Sequence, residues 1–350
     1  MHIPQGGFIE QALPESRGLA QISPALRERV LAFLDQVRAP DTAPWPFFEN
    51  PRATGSTTIE TTTWALVCLQ HVGATDLIAA LKPRVATAID RFYNSELGLY
   101  QDTDRQQPKL TGQWRLHNDS VCRMALGIIG VEPRPFPRGR QHLRQFPWAP
   151  QPGDDLDEWM NRCWATNPRD GAKEIFQYLH LYRQLEGVDD HVRHGLAFLE
   201  SKRNPQTGFI GAGPGLEPGW VMRGHRNLAL GLLWPLGVPE PMLEQMIDST
   251  LACQRTDGLF HDGSMCANMD AVHLLAEYSL RTPHRRAEII IATRRCASAI
   301  FEKLSVPAGG FRYELGESPD SARFTNGTAF VLHTLRFWQA IDPEAKLDSS

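Results

Sequence analysis

TTTWALVCLQHVGA (61–74), SVCRMALGIIGV (120–131), KEIFQYLHLYRQLEGV (173–188) and HRNLALGLLWPLGV (225–238) are four versions of one statement. Each is an apolar stretch with helical periodicity that stops at a glycine followed by a small or branched residue. Gly73, Gly130, Gly187 and Gly237 stand where a helix ends in the left-handed conformation, which glycine adopts without a Cβ penalty. The glycines are spaced 57, 57 and 50 residues apart, so the chain is repetitive at the scale of a helical pair. MDAVHLLAEYSLRT (269–282), before Pro283, and TAFVLHTLRFWQA (328–340), before Asp342, extend the series to six without the glycine.

A second signal runs out of phase with the first. ELGLY (96–100), QTGFIG (206–211), TDGLFHDG (256–263) and AGGFRYE (308–314) are glycine turns followed by an aromatic or apolar pair. APWPFFE (43–49) is a divergent first copy. A more amphipathic helix precedes each turn: PALRERVLAFLDQVR (24–38), IAALKPRVATAIDRFY (78–93), DHVRHGLAFLESKR (190–203), PMLEQMIDSTLACQR (241–255) and AEIIIATRRCASAIFEKL (287–304). A mixed face marks a helix with one side in water, whereas uniformly apolar helices are buried on most sides. Alternating outer and inner helices six times over predicts an all-α chain folded as an (α/α)6 toroid of six helical hairpins. The expected extent is a single domain over 1–350, with an irregular Pro/Trp-rich insertion at 131–168 near the active-site rim and a C-terminal tail at 344–350.

The composition sets outer bounds. With 350 residues, 42% hydrophobic and 22% charged, the chain can bury a large core. A net charge of −4 opposes general binding to nucleic acid. No apolar run reaches the roughly 20 residues of a membrane helix. Six scattered cysteines and a start, MHIPQGGFIEQ, without basic and apolar regions predict reduced thiols and a cytoplasmic location. Thirty arginines stand against six lysines, and guanidinium suits fixed, bidentate recognition of anions.

The turns lead into the inner helices, so turns and inner N-termini share one rim, whose free N–H groups favour negative charge. Counting back from the closing glycines places Glu60, His117 and Glu174 at equivalent depths, with Gly224, Met269 and Thr328 in the other copies. Asp119, Trp114, Trp164, Trp220, Arg223, Arg226, Arg323 and Asn326 are the polar and aromatic neighbours expected to bind substrate. Asp119, Asp270 and Asn326 also suit helix capping. Trp64, Trp234 and Trp338 fall inside helices and read as core.

LACQRTDGLFHDG (251–263) reads Gln-x-x-Asp-Gly-x-Phe, with weaker versions at 198–211 and 300–314. This resembles the repeat of terpenoid cyclases and protein prenyltransferase β-subunits, over about residues 20 to 340. The resemblance implies the toroid and a substrate in its central funnel. ANMDAVHLL (267–275) is similar to the acidic turn with which class II cyclases protonate an alkene, and it keeps only Asp270 of those acids. Asp154, Asp155 and Glu158 match the spacing of the magnesium-binding motif of class I cyclases, on a segment that also reads as a simple helix start. Asp262 and Cys266 depart from the prenyltransferase zinc spacing. No metal and no cofactor is expected.

Gly224-His225 looks similar to the Gly-His-x-x-Glu segment of sugar epimerase toroids, where histidine moves a proton. Two enzyme readings follow. In the first, a cyclase or isomerase acts by general-acid and carbocation chemistry on a small isoprenoid-type substrate. Asp270 or Glu60 is then the acid, Arg223, Arg226 and Arg323 hold an anionic head group, and rim tryptophans shield the cation. In the second, a glycoside hydrolase, lyase or epimerase uses Glu60, Glu174 and Asp270 as acid and base, with His117 or His225 shuttling protons. A non-catalytic binding or scaffold toroid is the third. A small molecule is the expected partner, and the oligomeric state stays open.

Overall fold

Twelve α-helices carry the described residues of the computed structural model, which are 22–52, 58–101, 112–136, 139–146, 148–213, 215–318 and 323–344. They are α1 (Pro24–Gln36), α2 (Ile59–His71), α3 (Thr75–Asp90), α4 (Gly112–Ile128), α5 (Leu156–Thr166), α6 (Pro168–Glu186), α7 (Asp190–Ser201), α8 (Pro218–Leu228), α9 (Leu243–Ala252), α10 (Met265–Ser279), α11 (Arg286–Lys303) and α12 (Phe324–Ile341). The even-numbered helices touch one another in order, α2 to α4, α4 to α6, and so on to α12, which packs back on α2. The odd-numbered helices each pack on one or two of the even-numbered ones.

Burial follows the two sequence classes. Every residue of α10 except Cys266 is buried, whereas α11 buries one stripe that includes Ile289, Ala292, Thr293, Cys296 and Ile300. That stripe repeats at three and four residues, as one helical face must. Gly73, Gly130 and Gly237 carry φ of 64–68°. Behind each, the next residue's N–H donates to the carbonyl five back: Ala74 to Leu69, Val131 to Leu126 and Val238 to Leu233, all at 2.9 Å. These bonds satisfy the carbonyls that a helix end leaves free. Pro235 breaks the α8 segment in another way. Without an N–H it cannot bond the Gly231 carbonyl, and the backbone widens to a π turn over Ala229–Leu233. His180 Nδ1 donates to that carbonyl instead, at 3.2 Å.

The glycine–aromatic turns form short antiparallel contacts between an odd-numbered helix and the even-numbered helix after it. Arg38 pairs with Phe47, Arg203 with Ile210, Gln254 with Phe260 and Ser305 with Phe311. A two-residue hairpin, β1 (Tyr93–Asn94) with β2 (Leu99–Tyr100), does the same after α3. The third pair has no such turn. Asn167 alone separates α5 from α6, and its side chain caps α6 through the N–H groups of Arg169 and Asp170. Gly171 permits this tight junction, since a Cβ there would lie 2.4 Å from the Cys163 carbonyl oxygen. Within 131–168 the described residues hold a 3-10 turn at Arg140–Gln145 and the whole of α5.

All six cysteines are unpaired. Among the described residues, no helix is long and apolar enough to cross a membrane. Most of the 344–350 segment, from residue 345, lies outside the described residues.

Candidate functional site

A cavity of about 240 Å³ is lined by residues of all six even-numbered helices. Trp64 of α2, Phe176 of α6 and Phe330 of α12 supply aromatic wall, and the Trp64 and Phe330 rings meet at a tilt of 41° with a centroid distance of 4.7 Å. Leu116, Val121 and Met124 of α4 and Met269 of α10 add aliphatic surface. Polar groups gather at Asp270 and Cys266 of α10, Arg226 and Asn227 of α8, Lys173 and Gln177 of α6, and His117 and Ser120 of α4.

Asp270 is buried, with 1% of its surface exposed. Its Oδ1 lies 3.3 Å from Arg226 Nε without a hydrogen bond to any group, and its Oδ2 is 3.6 Å from Arg223 Nε. The Cys266 thiol donates to Oδ2 at 3.6 Å. Burial pushes the Asp270 carboxyl above the usual carboxylate range, and the Arg226 and Arg223 guanidiniums offset only part of that. Arg226 is held from behind, because His273 Nδ1 accepts from its Nε at 3.2 Å and its Nη2 at 2.9 Å. An upshifted carboxyl thus borders a largely aromatic and aliphatic space, on a helix of which every residue but Cys266 is buried.

On α4, opposite α10 with two even-numbered helices between them in either direction, His117 also lines the cavity. Glu60, in the first turn of α2, places Oε1 3.8 Å from His117 Nε2. Behind Glu60 stands Glu49, which accepts from Thr61 Oγ1 at 2.7 Å and from the Asn326 N–H at 3.3 Å. Burial pushes Glu49 up to about 7 against those two bonds, and the Glu60 charge adds to the shift.

Of the thirteen residues singled out from sequence, Asp270, Arg226 and His117 line this cavity, and Glu60 joins them through His117. His225 and Asp119 do other work. The N–H of Ile210 donates to His225 Nδ1 at 3.3 Å, so Nε2 carries the ring proton and donates to Glu240 Oε1 at 2.9 Å. The Tyr100 N–H donates to Asp119 Oδ1 at 2.9 Å, and Arg123 Nε donates to Oδ2 at 2.6 Å. Asn268 accepts from Phe260 N and Thr328 from Phe311 N in the same way. All four side chains anchor the glycine–aromatic turn onto the helix after it. The sequence concealed this role, since any acceptor of the right length serves and the four copies use four residue types.

Glu174 is exposed on α6 and sits beside Cys163 of α5, because successive residues of a helix point about 100° apart and Lys173 takes the cavity side. Arg323 is tied to Glu317 at 3.0 Å and Glu314 at 2.9 Å, over the Tyr313 ring. Asn326 is buried at the start of α12 with its Oδ1 unpartnered. Trp164 packs on Phe198 and beneath Lys202. Trp220 is 38% exposed between the Arg169 and Arg223 guanidiniums. Trp114 falls in the first turn of α4, and its side chain lies outside the described residues. Asp155 caps α5 through the Glu158 N–H at 3.0 Å, and Asp154 accepts from Gln151 N at 2.7 Å. No group of three His, Cys, Asp or Glu able to hold a metal ion occurs among the described residues.

The sequence reading passed over Lys173 and assigned Trp64 to the core. The scarcity of lysine was the available signal for the first, since Lys173 alone of the described lysines interrupts an inner helix.

Neither a family model nor a curated protein sequence matches this chain. Among solved structures, a type II terpene cyclase from Scytonema in complex with geranylgeranyl dihydroxybenzoate aligns with 91% of this chain and 97% of its own, at 15% identity and a TM-score of 0.48. A polysaccharide lyase aligns with 93% of this chain and 99% of its own, at 12% identity and a TM-score of 0.47. Both alignments run nearly end to end.

Proposed function

We propose that this chain is a single (α/α)6 toroid domain and an enzyme that cyclises or isomerises a small isoprenoid-type alkene by general-acid chemistry. The observation that carries the reading is the buried, upshifted Asp270 carboxyl facing a cavity walled by Trp64, Phe176 and Phe330. The Asp270 O–H donates its proton to one alkene carbon, which leaves a cation on the more substituted neighbour. Aromatic faces attract that cation, the more strongly where water is excluded. A C–H beside the final cation gives its proton to His117 on the far wall, backed by Glu60, and restores a double bond. Bulk solvent then takes the proton from His117 and reprotonates Asp270.

The test is turnover of a short isoprenoid alkene in D2O. One deuterium per product, lost together with turnover in Asp270→Asn, is the expected result. Unlabelled product, or undiminished turnover by Asp270→Asn, overturns the assignment.

A second reading rests on the Glu60–His117 contact at 3.8 Å, a carboxylate–histidine pair of the kind that removes a proton beside a sugar carboxylate. Saturable binding of an acidic oligosaccharide, weakened by His117→Gln, supports it over the first.

A further inference from the structure

Lys173 stands half-buried on the cavity wall and makes no hydrogen bond or ion pair with any described residue. Its charged neighbours are all matched. Arg169 holds Asp170 at 3.0 Å, and Arg223 lies 3.4 Å from Asp262 and 3.6 Å from Asp270. Arg226 lies 3.3 Å from Asp270. Four cations (Arg169, Lys173, Arg223, Arg226) thus share three carboxylates (Asp170, Asp262, Asp270), and protonation of Asp270, as the acid role requires, leaves only two.

The excess positive charge faces a space whose lining is mainly apolar. An ammonium withdrawn from water without a partner is unfavourable by several kcal/mol. Burial and the Arg169 guanidinium push the Lys173 amine below the usual lysine range, with Arg223 adding to the effect and Asp170 opposing it. Cavity size limits the rest of the ligand. At about 30 Å³ for each water-sized group, a volume of about 240 Å³ admits a body of about eight non-hydrogen atoms.

We propose that Lys173 on α6, with Arg226 on the adjoining α8, is the seat for a monoanionic head group, a carboxylate in the simplest case, on a substrate whose body is a branched, unsaturated hydrocarbon of seven or eight carbons. This rests on the cavity being the substrate site and adds the chemical class of its occupant. The anion completes the ion pairs of the cluster and favours the charged form of Lys173. It also offsets the guanidiniums beside Asp270, so the acid holds its proton most firmly when substrate is present.

The experiment is calorimetric titration of the full chain with 6-methylhept-5-enoate and with the matched neutral probe, 6-methylhept-5-en-1-ol. The acid is expected to bind at least tenfold more tightly than the alcohol. Lys173→Met is expected to abolish that preference and to change alcohol binding less than twofold. Equal affinities in the wild type, binding of neither probe, or an acid preference that survives Lys173→Met overturns the proposal. If Lys173→Met fails to fold, the wild type decides alone: its preference for the acid must shrink as pH rises and Lys173 loses its proton, and a constant preference overturns the assignment. Asp270→Asn separates the two readings. Intact acid preference in that variant, beside unlabelled product in D2O, removes the cyclisation reading and leaves the anion seat standing.

Discussion

Two buried aspartates, Asp119 and Asp270, sit on inner helices beside arginines, and their second contacts divide their roles. Both oxygens of Asp119 are committed, one to the Tyr100 N–H and the other to Arg123. Asp270 keeps Oδ1 free of hydrogen bonds and borders the cavity. Asp270→Asn is therefore expected to lower kcat by about 1,000-fold, about 4 kcal/mol at the barrier, with the unfolding midpoint retained. Asp119→Asn is expected to lose about 3 kcal/mol of stability, because it leaves Arg123 buried without its charge partner, while turnover per folded molecule is kept. Reversal of these two patterns, read by urea unfolding and by turnover, would exchange their roles. The pH profile follows from Asp270 as well. Its upshifted carboxyl stays protonated above the ordinary range, so turnover declines as pH rises through the folded value. Arg226 pulls that value down, and Arg226→Gln is expected to move the alkaline limb upward.

At the scale of elements, one hydrogen bond recurs wherever a glycine turn meets its following helix. Asn268 takes the Phe260 N–H at 2.8 Å and also ties its own amide to the Gly263 and Ser264 carbonyls. Asn268→Ala orphans a buried N–H and is expected to be destabilising by about 2 kcal/mol. His225→Phe, which also strips a partner from Glu240, should be worse, at about 3 kcal/mol. Glu240 is held below the usual carboxylate range although burial opposes it, because His225, Trp234 and Tyr278 all donate to it. Gly171→Ala drives a methyl into the Cys163 carbonyl and is expected to lose about 3 kcal/mol by prying α5 from α6. A denaturation midpoint unchanged by Gly171→Ala would show that the junction yields. The helices and their stops were legible in the sequence because apolar period and glycine conformation are local matters. The anchors were not, since a shared acceptor position leaves no shared letter.

At the scale of the whole molecule, desolvation disfavours the charged form of four histidines among the described residues. Burial lowers His71 and His180 to about 3, and lowers His273 and His333 well below the ordinary 6.5. Between those values the unfolded chain binds protons that the folded chain refuses, so acid favours unfolding by up to about 1.4 kcal/mol per histidine per pH unit. Glu49 and Glu277 work in the other direction. Their folded values of about 7 exceed the ordinary 4.5, so the folded state takes up protons first as pH falls, until about 4.5. Four histidines outweigh two carboxyls, so the urea midpoint is expected to decline from about pH 6.5 and to fall more steeply below about 4.5, where the carboxyls no longer compensate. In a Glu49→Gln, Glu277→Gln double variant, the decline between about pH 6.5 and 4.5 should be about twice as steep. A double variant with the wild-type profile would remove the two carboxyls from this balance.

The order of helices, their ends and the glycine turns between them were determined by the sequence alone, because each depends on residues within one or two turns of chain. Asp270, His117 and Arg226 were visible as polar residues on apolar helices, which is a local contradiction. Which of the polar residues share a cavity depended on how six helices rotate against one another, a matter of side-chain packing between segments up to about 270 residues apart. Rotation by one residue, about 100°, puts Lys173 on the cavity wall and turns Glu174 toward α5. Only the tertiary structure decided that choice.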